Sequence, residues 1–545
     1  MEVDMRKARR MRSIGPISLF LAAGLFGVAR LAEPAEGTPP NIVIVLADDM
    51  GWSDIGCFGG EIATPNLDRL AANGLRFTQF YNAGRCCPTR ASLLTGLYPH
   101  QTGVGLMVDD NGVPGYRGFL NDRCVTIAEV LRPAGYFTAM TGKWHVGHRD
   151  PSMWPLQHGF DRFYGVLEGG GFYFKIKRNR PVMMGNEVLY SSEKPTPAGW
   201  YSTDAWAEFG IRFIDEALAA QKPFFLYLAH NAPHFPLEAP PEDIARWRGK
   251  YRQGWDALRE QRYRRQLELG VIDKAWPLSP RPEGVKAWES LSEEQKDRFD
   301  HIMAIYAAVM ERMDRSVGVL VQALKERNAL DHTLIFFLSD NGGNAESGPD
   351  GKTGGPGPWG SAESDVFCGE SWATLENTPF RRYKHHNHEG GIATPLIVHW
   401  PAGVAAKGEL RTQPGHVIDL LATCVDVSGA KYPSEANGKA ILPLEGRSLR
   451  PAFENKPLER EALFWEHEGN AAVRAGDWKL VRFGREGDWE LYDLAKDRTE
   501  LKDLAAQEPA RVKELTARWE AWAERTQVKP YPGQGKSSKK GDKEP

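Results

Sequence analysis

Five apolar runs that stop abruptly at polar residues constrain this chain more than any other feature. They are NIVIVLAD from Asn41, YFTAMTG from Tyr136, PFFLYLAH from Pro223, TLIFFLSD from Thr333 and PLIVHW from Pro395. Runs this short and this uniformly apolar read as strands buried on both faces, the habit of a parallel sheet covered by helices. Helical patterns lie between them. In HIMAIYAAVMERMDRSVGVLVQALK, residues Ile302, Ile305, Val309, Met313, Val317, Leu320 and Leu324 step by three or four along one helix face. The alternation predicts an α/β fold, a large mostly parallel sheet sandwiched by helices. The texture changes past residue 440. AAVRAGDWKLVRFGREGDWELYDL reads as short antiparallel strands with Gly-Asp turns, and PARVKELTARWEAWAERT as an amphipathic helix. A large α/β domain is therefore expected over 38–440, a smaller C-terminal α+β domain over 441–530 and a polar, disordered tail over 531–545. The stretch ARWRGKYRQGWDALREQRYRRQLELG reads as a basic helical insertion with a solvated face.

Composition excludes several classes. Lys and Arg number 68 against 71 Asp and Glu, so no basic excess calls for nucleic acid. A mean hydropathy of -0.45 argues against a multispanning membrane protein. The N-terminus carries basic MRKARRMRS, then apolar Ile14–Ala29, then small residues, the order of a secretory signal. A signal peptide over 1–32 predicts a periplasmic or secreted product with no membrane association after cleavage. An uncleaved anchor is the alternative, and Arg9-Arg10 leaves the export route open between Sec and twin-arginine. Six cysteines are too sparse for a disulfide framework, and no CxxC pair suggests a zinc ribbon. The adjacent Cys86 and Cys87 are strained for bonding to each other.

Polar residues gather where the apolar runs end. Asp48 and Asp49 close the first, Lys143 and His145 the second, His234 follows the third, and Asp340 and Asn341 close the fourth. Lys384 lies well upstream of the fifth, so spacing alone does not place it. Open parallel sheets bind ligands at the carboxyl ends of strands. Taken singly, Asp-Asp after a strand is an ordinary turn and a lone His an ordinary structural residue; the convergence is what points to a site. Three carboxylates and an amide are hard oxygen ligands, suited to Ca²⁺ or Mg²⁺. Lys143, Lys384 and Arg90 beside a cation suit a compact anion, a sulfate or phosphate group. His145 and His234 can move protons near neutral pH.

The stretch CCPTRASLLTG resembles the C-x-P-[ST]-R signature of the type I sulfatases, members of the alkaline-phosphatase superfamily. The resemblance continues through PNIVIVLADDMGWSDIGCFGGEIATPNLDRLA, GKWHVG, APHFPL, SDNGG, EGGIATPLIVHWP, GDWKLV and WELYDL, nearly the whole mature chain, and looks most like the bacterial arylsulfatases. It implies an alkaline-phosphatase-like fold and hydrolysis of sulfate monoesters, with phosphonate monoester or phosphodiester hydrolysis as the alternative. It implies that a formylglycine-generating enzyme oxidises Cys86 to Cα-formylglycine, Cys87 being a buried small residue at a variable position; a plain Cys86 thiolate beside Arg90 is the competing reading. Asp48, Asp49, Asp340, Asn341 and the converted Cys86 are implied to hold the cation, with Ca²⁺ favoured over Mg²⁺. Lys143 and Lys384 are implied to bind the sulfate, Arg90 to support the formylglycine hydrate, His234 or Lys384 to protonate the leaving alcohol, and His145 to assist release of sulfate. The substrate is a sulfated small molecule or glycan, chosen by variable loops from Met107, Glu168 and Glu346 and by EHEGN from Glu466. His467 in that last loop either reaches the site or is an ordinary surface histidine.

Overall fold

The computed structural model describes residues 38–177 and 179–532. The signal sequence expected over 1–32 lies outside the described residues, as does the chain beyond 532. The chain forms β1 (Asn41–Ala47), β2 (Leu75–Tyr81), β3 (Phe137–Lys143), β4 (Arg162–Val166), β5 (Val182–Met184), β6 (Glu187–Tyr190), β7 (Phe224–Ala229) and β8 (Thr333–Ser339). A short hairpin, β9 (Lys352–Gly354) and β10 (Asp365–Phe367), precedes β11 (Ala393–His399), β12 (Glu409–Arg411) and β13 (Gly415–His416). A small ladder, β14 (Glu435–Ala436) with β15 (Lys439–Ala440), leads to β16 (Leu463–His467), β17 (Asn470–Ala475), β18 (Trp478–Arg482) and β19 (Glu490–Asp493).

The large sheet has the order β12-β2-β11-β8-β1-β7-β3-β4-β5-β6, with β13 also on β2. Its centre, β8-β1-β7-β3-β4, is parallel throughout. Side chains alternate across β1: Val43, Val45 and Ala47 enter one core, and Ile42, Ile44 and Leu46 the other. The long helix Glu293–Glu326 covers the first face. Ser292 and Gln295 cap its start reciprocally, and all seven residues of the expected apolar stripe are buried. Helices Cys86–Thr95, Ile127–Leu131 and Asp419–Ser428 cover the second. The C-terminal unit is an antiparallel sheet, β16-β17-β18-β19, carrying the helix Pro509–Arg525 through Leu515, Trp519 and Trp522. The expected α/β architecture with a smaller α+β unit is present.

Three features go beyond the sequence reading. β11 runs antiparallel to both β8 and β2, so β2 points the same way as the parallel centre. The basic insertion is solvated on one face only, through Arg252, Arg264 and Arg265. Its helix Gly254–Leu269 buries Arg259 and Arg262, and the Arg262 guanidinium reaches Asp54 at 2.8 Å and Glu61 at 2.7 Å; a buried Asp54 needs that counter-charge. Tyr531 is buried, with the Arg485 guanidinium 4.1 Å from its ring centre. All six cysteines are unpaired. No helix among the described residues is long and apolar enough to cross a membrane.

Candidate active site

One rim of the large sheet collects the carboxyl ends of β1, β2, β3, β7 and β8. Because β11 is antiparallel, its amino end opens on the same rim, which brings the segment upstream of it there too. That is how Lys384 reaches the site. Cys86 follows β2 and opens the helix Cys86–Thr95. Thr89 fixes this helix against β8: its hydroxyl donates to the Asp340 carbonyl at 2.6 Å and accepts from the Ala83 amide at 2.9 Å. Asp49, His145 and His385 adopt left-handed φ of 70°, 58° and 76°, strain that costs roughly 1–3 kcal/mol each and persists only where surroundings enforce it.

All the expected residues converge. Lys143 Nζ donates to Asp48 at 2.5 Å. Arg90 donates twice to Asp340, at 3.1 and 2.8 Å, and once to the Lys143 carbonyl at 2.8 Å. Its guanidinium is thus spent on Asp340 and the backbone. Lys384 Nζ donates to Asp49 and to Glu346, each at 3.0 Å. Asn341 Nδ2 donates to Asp49 at 2.8 Å. His234 Nδ1 lies 2.6 Å from the Phe235 carbonyl, which leaves Nε2 facing Asp49 at 3.6 Å. Ligand atoms of Cys86, Cys87 and His145 lie within 4.8 Å of one another. Cys87 is fully buried, as expected of a small core residue, yet its sulfur stays beside that of Cys86.

The charges are lopsided. Asp48 and Asp340 are both fully buried. Burial opposes ionisation of Asp48, but Lys143, then His234 and Arg90, hold its carboxyl below the usual range. Asp340 goes the other way, pushed up by burial and then by the Asp48 charge, as happens when two carboxylates share one site. A hydrogen bond from Cys87, with Lys143 and His145, outweighs burial and lowers the Cys86 thiol, while burial raises Cys87. Burial takes His145 down to about 4, so it is a neutral base at neutral pH. Asp48 Oδ1 and Asn341 Oδ1 are buried with no hydrogen-bond partner.

Several neighbours of the site were not among the expected catalytic or metal residues, although Glu346 and Glu468 lie in loops expected to choose the substrate. Asn344 donates to Asp49 at 2.8 Å, and Glu346 receives Lys384; both follow Asn341 in SDNGGNAE. Arg85, His385 and Glu468 form a mutually bonded group at the edge, with Glu468 in the turn between β16 and β17. His467 is not a surface histidine. It is fully buried, 5.9 Å from His385 between ring centres. No periodicity marks these residues, because they come from separate loops.

A family model described as sulfatase matches residues 40–430, and one described as N-sulphoglucosamine sulphohydrolase, C-terminal, matches 381–527. An uncharacterized sulfatase of Schizosaccharomyces pombe is 34% identical over 533 residues, covering 91% of this chain and 95% of that protein. The arylsulfatase of Klebsiella aerogenes is 35% identical over 463 residues, covering 82% and 97% respectively. The crystal structure of Ps i-CgsB matches with a TM-score of 0.67 at 28% identity, over 91% of this chain and 98% of that one.

Proposed function

The chain belongs to the sulfatase family and hydrolyses sulfate esters, and from that premise we propose how its residues do so. The phosphonate or phosphodiester alternative is not favoured, since the likeness to sulfatases spans nearly the whole chain. The observation that carries the mechanism is the meeting of Cys86, Lys143 and His145 with buried Asp48 and Asp340 at one rim.

Asp48, Asp49, Asp340 and Asn341 would hold a divalent cation, Ca²⁺ in preference to Mg²⁺. The donors fit a hard ion: all are oxygens, and two of them, Asp48 Oδ1 and Asn341 Oδ1, are buried without a partner. When bound, such an ion neutralises the carboxylates and polarises an ester oxygen. Oxidation of Cys86 to formylglycine by a generating enzyme, followed by hydration, would supply two hydroxyls on one carbon, one to attack the ester sulfur as the bond to the alcohol breaks and one whose deprotonation releases sulfate and restores the aldehyde for rehydration. Lys143 and Lys384 then turn from their carboxylates toward the sulfate oxygens. Arg90 holds Asp340 and the end of β3 in register rather than touching the ester. His234, its Nδ1 tied to the Phe235 carbonyl, presents Nε2 to the leaving oxygen and gives it a proton. His145 accepts a proton from the second hydroxyl as sulfate departs. The sum is ester plus water giving alcohol, sulfate and a proton. The substrate is a sulfated sugar or small aryl or alkyl sulfate, met in the periplasm or outside the cell.

Peptide mass spectrometry of active protein tests this. The expected result is an aldehyde at Cys86, reactive toward hydrazide, with Cys87 an intact thiol. Cys86→Ala should release no sulfate from an aryl sulfate, and Cys87→Ala should retain most turnover. An unmodified Cys86 thiol in the fully active fraction would overturn the mechanism.

A further inference from the structure

Beside the sulfate pocket lies a cluster that the hydrolytic mechanism does not use. His385 comes from the segment before β11, His467 ends β16, and Glu468 begins the turn to β17. Their ligand atoms all lie within 4.8 Å of one another. His467 has no exposed surface, and neither of its ring nitrogens has a hydrogen-bond partner. Buried imidazole nitrogens are ordinarily satisfied, so this one marks a missing partner. His467 Nε2 is 3.7 Å from Glu468 Oε1, and His385 Nδ1 is 2.7 Å from Glu468 Oε2. Ligands about 2.0–2.2 Å from a tetrahedral ion stand at similar separations.

The orientation of His385 is the second clue. Its Nε2 faces Glu346 Oε1 at 2.8 Å while Nδ1 faces the cluster. A carboxylate on the far nitrogen of a ligating histidine fixes ring and tautomer, and is the usual companion of a metal-bound imidazole. The Asn470 amide also holds the His385 carbonyl at 2.8 Å. Arg85 supplies the positive charge in the ion's place. Its NH1 lies 2.7 Å from His385 Nδ1 and 2.9 Å from Glu468 Oε1, and it also has Glu346 at 3.4 Å to hold if displaced.

We propose that His385 Nδ1, His467 Nε2 and the Glu468 carboxylate form a second metal site that takes a Zn²⁺-class ion in competition with the Arg85 guanidinium. Two imidazoles and one carboxylate suit zinc, and discriminate against the hard cation that the all-oxygen site next door would take. Three protein ligands leave a fourth position for water.

The test uses the full mature protein with saturating Ca²⁺, titrated with Zn²⁺ by calorimetry and with Co²⁺ by absorption. One Co²⁺ per chain should give visible bands without a thiolate charge-transfer band, which would report Cys86 and Cys87 instead. His467→Ala and Glu468→Gln should each weaken Zn²⁺ by more than the about 10–100-fold that loss of an outer hydrogen-bond partner costs. Arg85→Gln should tighten it. Glu468 is partly exposed, so its variant keeps the test open if His467→Ala fails to fold. The proposal falls if the wild type takes up no Zn²⁺ or Co²⁺ beside Ca²⁺, if the bands are those of a thiolate site, or if the variants bind as the wild type does. No readout uses ester turnover, so failure here leaves the hydrolytic mechanism standing.

Discussion

Replacing Lys479 by Met should destabilise the protein in a way that depends on pH. Lys479 is fully buried on β18, with its Nζ 2.8 Å from Glu389 Oε1 and 2.8 Å from Glu500 Oε1. Glu389 Oε2 also accepts from Arg498 at 2.7 Å and from the Tyr81 hydroxyl at 3.0 Å. Burial opposes the Glu389 charge, yet Lys479, Arg498 and Arg474 together hold its carboxyl at about 2, against an ordinary 4.5. Holding it there is worth about 3 kcal/mol at neutral pH. Removing one partner of a buried pair costs roughly 3–5 kcal/mol by mutational precedent, and the two figures agree. The sign follows from the depressed value. The stabilisation is fully present above the ordinary carboxyl range and is lost as pH falls through about 2.

Denaturant unfolding at pH 7.5, 5 and 4, followed by tryptophan fluorescence, measures the difference. The Lys479→Met penalty should be about 3–5 kcal/mol at pH 7.5 and smaller at pH 4, where the variant carboxylates take up protons. Because Glu389 opens the short helix Glu389–Ile392 just after Lys384, turnover should fall as well. A penalty below about 1 kcal/mol at pH 7.5, within the range of an exposed pair, would refute the reasoning. So would a penalty that grows on acidification.

His234→Ala should cost about 10²–10⁴-fold in kcat on alkyl or sugar sulfates and far less on nitrophenyl sulfate, whose leaving group departs without a proton; equal losses would remove His234 as the acid. Chelation by EDTA should inactivate slowly, with Ca²⁺ restoring turnover better than Zn²⁺; full activity in a verified metal-free sample would contradict the oxygen-ligand site. Gly169→Ala would set a Cβ 2.3 Å from His145 Cε1 and Nε2, so kcat should drop while the unfolding midpoint stays nearly unchanged; unchanged kcat would mean that His145 can shift freely.

The strands were legible because their apolar runs are too short for buried helices and rich in β-branched and aromatic residues, and β1 is buried along its whole length. The residues that close those runs were legible for the same reason: a parallel centre sends every carboxyl end to one rim. Lys384 was named through the resemblance alone and not placed by spacing, because a strand buried on both faces carries no mark of its direction. Only the antiparallel pairing of β11 with β8 and β2 turns its upstream segment toward the site. Arg262 misled for a related reason. A basic helix reads as solvated unless its acidic partners are known, and Asp54 and Glu61 lie some two hundred residues away in sequence.

The C-terminal sheet was recognisable from its Gly-Asp turns, and EHEGN marked one of its loops for the site, but Lys479 and Glu500 carried no such mark, because contact between residues distant in sequence leaves no periodicity. It nonetheless completes the rim at two levels. Below, Lys479 of β18 neutralises Glu389, and the Glu389 amide donates to Glu500 at 2.8 Å, so the segment that carries Lys384 is anchored by the second unit. Above, Glu468 bonds Arg85 at 2.9 Å, immediately before Cys86. The start of the Cys86 helix and the segment that carries Lys384 are therefore both held from a sheet more than seventy residues downstream. A boundary near residue 440 separates two sheets, but it does not separate two functions: a chain cut there would keep every expected catalytic side chain and lose the charges that hold two of them in place.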